Sequence, residues 1–181
     1  MKTLRFKILI VIFFLGTCKE SFAQFSLGAD AALPAGALAH GQRNGIGGDL
    51  RFDGKIVGKL KWSLGLGYYS LPGKAYSGLN YYPYYSSGGY GPTENFLSLL
   101  VGIKYFIMEG NKSFYIGLDA GKYERSYNSS QLFFPPIWLF GYAPGLGYRL
   151  KKVDFSYRFN LIKNYGEYST LFSTVRIAYI F

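Results

Sequence analysis

Val153-Asp154-Phe155-Ser156-Tyr157-Arg158-Phe159-Asn160-Leu161 alternates apolar and polar residues without a break, and its reading decides the fold. Successive side chains of a β-strand point to opposite faces. Phe155, Tyr157, Phe159 and Leu161 therefore share one face, while Asp154, Ser156, Arg158 and Asn160 share the other. Lys151-Lys152 separates this run from another alternating stretch at 137–150, which is the spacing of a tight hairpin. The last strand repeats the pattern: Val175, Ile177, Tyr179 and Phe181 oppose Thr174, Arg176 and Ala178.

Working outward from this hairpin, period-2 alternation between turn signals predicts eight strands, at 24–33, 45–52, 60–69, 94–107, 113–123, 137–150, 153–162 and 171–181. Their mean length of 11 residues suits a tilted membrane strand, which needs roughly 9–11. The links alternate in length. Residues 34–44, 70–93, 124–136 and 163–170 form long connections, and 53–59, 108–112 and 151–152 form short ones. In an up-and-down barrel alternate links share a rim, so the long loops gather at one end and the short turns at the other. The expected fold is an all-β, eight-stranded antiparallel up-and-down transmembrane β-barrel.

The chain begins with a segment that reads as removable. Lys2, Arg5 and Lys7 precede an apolar run at 8–15, and Ser21-Phe22-Ala23 places small residues three and one before Gln24. Eight apolar residues are far fewer than the roughly 20 of a membrane helix. The expected organisation is a signal peptide at 1–23 and a barrel domain at 24–181. A rival cleavage before Cys18, at Leu15-Gly16-Thr17-Cys18, resembles a lipoprotein box, but Thr17 is bulkier than the usual Gly or Ala. Cys18 is the one cysteine, so the processed chain has neither disulfide nor thiolate metal site. Processing lowers the net charge from +10 to about +7. Export makes lipid phosphates, rather than nucleic acid, the accessible anionic partner. The 18 Tyr, 16 Phe and 24 Gly are a strand-and-turn composition.

Parity carried through all strands puts Asp30, Asp49, Arg51, Lys61, Lys104, Asp119, Arg149, Asp154, Arg158 and Arg176 on the polar face, six cations with four anions. The same face collects Gly28, Gly47, Gly65, Gly67, Gly102, Gly117, Gly121, Gly141, Gly145 and Gly147. A water-facing surface favours longer polar side chains; a narrow eight-stranded lumen has room for little beyond glycine. Lys122 alone breaks the pattern, at the loop end of its expected strand, where its stem can snorkel to headgroups. On the apolar face, near the short-turn rim, every strand supplies an aromatic: Phe25, Phe52, Trp62, Tyr105, Phe114, Tyr148, Phe155, and Tyr179 with Phe181. A soluble barrel core has no reason to gather aromatics at one end; a bilayer interface does.

Over the 158 residues from Gln24 the chain resembles the small eight-stranded outer-membrane β-barrel family. Its closing Thr174-Val175-Arg176-Ile177-Ala178-Tyr179-Ile180-Phe181 looks like that family's terminal strand, ending on an aromatic. The resemblance implies a bacterial outer-membrane location, contact with outer-membrane lipids and lipopolysaccharide, and recognition of Phe181 by the outer-membrane insertion machinery. It names no catalytic motif.

Chemistry is sparse. His40 is the one histidine; with Ser77, Ser86, Ser87 and Glu94 near the same rim it supplies the parts of a serine hydrolase or lipid-A-modifying enzyme. No serine lies in a G-x-S-x-G elbow. One histidine and no cysteine beyond the leader leave no metal or cofactor motif. Gly45-Ile46-Gly47-Gly48 opens no helix that would bind phosphate, and the sequons at Asn111 and Asn128 have no ordinary use in a bacterial barrel. The lumen charges nearly balance, which suits a plug of ion pairs better than a narrow passive, porin-like channel for very small solutes. In the second long loop Tyr76, Tyr81, Tyr82, Tyr84, Tyr85 and Tyr90 stand among Gly, Ser and Pro, a composition suited to adaptable contact surfaces. The expected protein is a monomeric, non-enzymatic barrel acting structurally or through adhesion and ligand contact at its outer loops.

Overall fold

The computed structural model describes residues 24–75, 91–108, 112–128, 135–164 and 169–181. The leader call at 1–23, the six loop tyrosines and Ser77, Ser86 and Ser87 lie outside these residues. The strands are β1 (Gln24–Ala35), β2 (Gly45–Val57), β3 (Leu60–Leu71), β4 (Thr93–Phe106), β5 (Lys112–Asn128), β6 (Ile137–Leu150), β7 (Val153–Lys163) and β8 (Thr170–Ile180), with one short helix, α1 (Leu38–Gly41), after β1. Each pairs antiparallel with the next, and β8 pairs with β1 to close the barrel. Closure leaves no sheet edge with unpaired backbone groups, the condition for strands in lipid. The Phe181 N–H donates to the Phe25 carbonyl at 2.9 Å and fastens the last residue across the seam.

The barrel is inverted relative to a soluble protein. Its outer wall carries Leu27, Leu64, Val101, Ile116, Leu146 and Ile177, all exposed, with Val101 at 60%. Its interior carries the charges: Arg176 is 2% exposed and Asp154 1%. A lipocalin-type barrel would place these sets the other way round. Only an apolar surrounding makes exposed leucine and buried arginine the lower-energy arrangement.

Three links differ most from the sequence expectation. The link expected at 53–59 is strand up to Val57, with a register shift between Lys55 and Val57 and a turn of just Gly58 and Lys59. Gly58 sits at φ +51°, a left-handed conformation that glycine adopts without steric cost. β3 runs on to Leu71, shortening the second long link. β5 continues to Asn128, so Lys122 is not at a strand end but six residues inside it. The extension was hidden because Glu124, Arg125, Ser126 and Tyr127 offer no polar–apolar contrast. A strand projecting beyond the bilayer has water outside it, so alternation is no longer required there.

Candidate functional site

The interior has two layers. The lower, toward the short turns, is a continuous ionic lattice. Asp49 is its hub, accepting from Arg51 Nε at 2.9 Å, Arg158 Nη2 at 2.9 Å and Arg176 Nε at 2.5 Å. Arg51 also reaches Asp119 at 2.9 Å, whose second oxygen accepts from Ser63 Oγ at 2.8 Å. Arg158 spans to Asp30 at 3.4 Å. Arg176 Nη1 reaches Asp154 at 3.3 Å, and Tyr115 Oη donates to the same Asp154 oxygen at 2.9 Å.

Nearer the turns, Lys104 Nζ lies 2.8 Å from both oxygens of Asp53, and Arg149 Nη2 lies 3.1 Å from one of them. Lys61 donates to Gln24 Oε1 at 3.1 Å and stands 4.9 Å over the Phe106 ring. The ten charged positions read from parity all lie on the lumen side, on strands that bring them together. Asp53 was missed, because it fell in the supposed link 53–59; with it, five anions face the six cations. Each cation in this dry interior has a carboxylate or amide oxygen within reach, which offsets its desolvation.

The upper layer was not foreseen. Tyr69, Leu71, Phe96, Leu100, Tyr123 and Phe172 fill the lumen toward the long loops, joined by Leu38 of α1 folded in from above. The Phe172 ring lies 5.5 Å from Tyr69 and 5.1 Å from Phe96. The two layers are tied together where Arg158 donates to Tyr69 Oη at 3.3 Å. Several lumen glycines are seats for these rings: a Cβ on Gly147 would collide with the Tyr115 ring beside it, and one on Gly47 would come within 2.5 Å of Tyr69 Cδ1. Within the ionic layer a small cavity bordered by Arg51, Lys104, Tyr115, Asp119, Ser156 and Arg158 has room for about one water molecule.

Outside, the girdle aromatics form a band near the short-turn rim. Phe25 stands 5.2 Å from Phe52 and 5.3 Å from Phe181, Phe114 4.6 Å from Tyr148, and Tyr179 5.0 Å from Phe181. Phe155 and Tyr105 are exposed, and Trp62 lies half-buried against Gly54. At this rim Lys55 near the end of β2, Lys112 at the start of β5, and Lys151 and Lys152 on the β6–β7 turn are exposed. At the opposite rim His40 is exposed on α1, and Glu94 is held by Arg125 through bonds of 2.9 and 3.1 Å. Among the described residues no cluster of His, Cys, Asp and Glu could hold a metal.

Compared by sequence, the chain matches no family profile and none of the curated proteins. Compared by structure, it is similar to Neisserial surface protein A, with a TM-score of 0.57 at 14% identity over 88% of this chain and 97% of that one. It is similar also to Ail, the attachment invasion locus protein of Yersinia pestis, in complex with the heparin analogue sucrose octasulfate, with a TM-score of 0.54 at 15% identity over 90% and 99%. The same outer membrane protein in a phospholipid bilayer nanodisc gives 0.50 at 15% over 88% and 99%. At such identities the likeness is one of fold: the chain folds as a small outer-membrane-type β-barrel.

Proposed function

We propose that this protein is a non-enzymatic barrel of the bacterial outer membrane, a rigid closed stake that presents its long-loop rim to the surroundings. The observation that supports the reading most is the doubly filled lumen. Among the described residues an ionic lattice and an aromatic stopper fill the lumen, which suits a wall that anchors and a rim that makes the contacts. Glu94, one of the residues that could serve an enzyme, is engaged by Arg125. The aromatic band at one rim suits a bilayer interface, and the exposed Phe181 ring beside β8 suits recognition during insertion.

Arg43 and Lys74 are exposed beside the long links, and the second long link is tyrosine-rich in sequence, so an anionic surface glycan is a fitting first probe; the Ail structure holds a sulfated sugar. Cells displaying the full barrel should bind heparin-coated beads, and replacing residues 76–90 with a Gly-Ser segment of equal length should reduce capture while leaving the barrel folded. Undiminished capture would sink the loop-contact reading. Altered acylation of lipopolysaccharide by the purified barrel would replace it with an enzymatic one.

A further inference from the structure

Two lysines stand on the outer wall where neighbouring residues are apolar. Lys122 of β5 pairs laterally with Leu99 of β4 on one side and Phe140 of β6 on the other. Phe140 pairs in turn with Lys163 of β7. The row Leu99–Lys122–Phe140–Lys163 thus sets two exposed ammonium groups on either side of one exposed ring. Their Cα atoms are about two strand spacings, or roughly 10 Å, apart.

Depth fixes what they meet. On β6 the outward residues run from Tyr148 of the girdle through Leu146, Pro144 and Tyr142 to Phe140 and Trp138. At about 3.3 Å per residue and a tilt near 40°, Trp138 lies roughly 25 Å above Tyr148, the height of a barrel's apolar band. Phe140 therefore sits just inside the far edge of that band, and the tilt sets one lysine roughly 3 Å above it and the other roughly 3 Å below. A cation on the lipid face is costly at the midplane and nearly tolerated close to the edge, provided its stem reaches polar groups. Neither lysine makes an ion pair within the described residues. Glu124, two residues beyond Lys122 and level with Trp138, is the nearest outward acid on β5.

We propose that Lys122 and Lys163, straddling Phe140, clamp the phosphate of a lipid-A-type glycolipid in the outer leaflet, with Phe140 against its acyl chains. The occupant follows from charge and height. Phosphates carried on the same sugar as the acyl chains lie at the acyl boundary, where these ammonium groups emerge. Lys151 and Lys152 of the opposite rim differ, standing exposed on the β6–β7 turn past the girdle. The site rests on reading the long-loop rim as the outer-leaflet side.

The test uses the complete barrel in phosphatidylcholine nanodiscs doped with diphosphoryl lipid A, its dephosphorylated form, or phosphatidylglycerol, counting lipid retained per barrel after repurification. The wild type should retain diphosphoryl lipid A over the other two. K122Q/K163Q should lose that preference by roughly 25-fold, at about fivefold per lysine. K151Q/K152Q, on the other rim, should keep it. Unchanged retention by K122Q/K163Q, or equal retention of all three lipids by the wild type, would overturn the site while leaving the membrane reading intact. Loss in K151Q/K152Q instead would overturn both the site and the assigned orientation. A barrel that never enters the nanodisc would overturn the membrane reading and the site with it. Heat-dependent gel mobility checks that each variant is folded.

Discussion

Asp49 accepts from three guanidinium groups, and that count sets how its loss should be felt. Burying an arginine is tolerable while an anion answers it; removing the anion leaves the cations in a dry interior. Asp49→Ala strips a partner from Arg51, Arg158 and Arg176 together. It should cost about 3–5 kcal/mol, the usual range for breaking a buried pair, read as a lowered urea midpoint for unfolding from vesicles. Asp119→Asn is a milder change, because the amide still accepts from Ser63 or Arg51 and its volume is kept. A variant at Asp49 as stable as wild type would mean that the lattice is hydrated and the charges screen one another through water. Gly147→Leu makes a complementary case from sterics: the Tyr115 ring occupies the space a side chain needs. Tyr115 would have to leave Asp154, so this change too should lower the midpoint.

Among the elements, β6 and β7 were the most legible: their bounds fall within one residue of the expected ones, and they are joined by a two-residue turn. β2 was less so. The link expected at 53–59 includes Gly54, yet Gly54 is strand, covered on the outside by Trp62 of β3. Reading a loop there removed Asp53 from the interior. The aromatic layer escaped for a different reason. Tyr69, Phe96 and Phe172 share parity with the charges, and alternation assigns a face without saying how an apolar residue on the polar face is packed. Only the register shows that they lie at one height. The assignment of faces makes an element-level prediction. Leu64→Arg on β3, facing outward at 38% exposure, should cost about 2–4 kcal/mol if it lies near the bilayer midplane. Glu124→Arg, on the overhang of β5, should leave stability nearly unchanged, because that part of the strand stands at or past the headgroups. Equal penalties for the two, measured by folding titrations in lipid vesicles, would contradict the height assigned to the wall.

At the scale of the whole molecule, two consequences of closure can be separated by experiment. The first is orientation. With Cys18 in the expected leader, single cysteines introduced at Asn128 and at Lys152 report opposite rims without background. An impermeant maleimide on intact cells should label Asn128→Cys and spare Lys152→Cys until the outer membrane is breached; equal labelling would reverse or abolish the assigned sidedness. The second is conduction, and it turns on the two layers being independent stops. Phe96→Ala with Phe172→Ala opens the stopper but leaves Asp49 and its three arginines across the lumen below. Opening a single layer should thus give no steady current in a planar bilayer. It should instead lower stability, since each large core truncation typically costs about 3–5 kcal/mol. Disrupting the lattice alone, through Arg158→Ala, should likewise destabilise the barrel without opening it, because Tyr69, Phe96 and Phe172 still close the upper half. Conductance is expected only when both layers are cut in one molecule that still folds. Stable, ion-selective channels from the wild type, or from either partial variant, would show that the packed interior opens on its own, and the barrel would then act as a narrow pore.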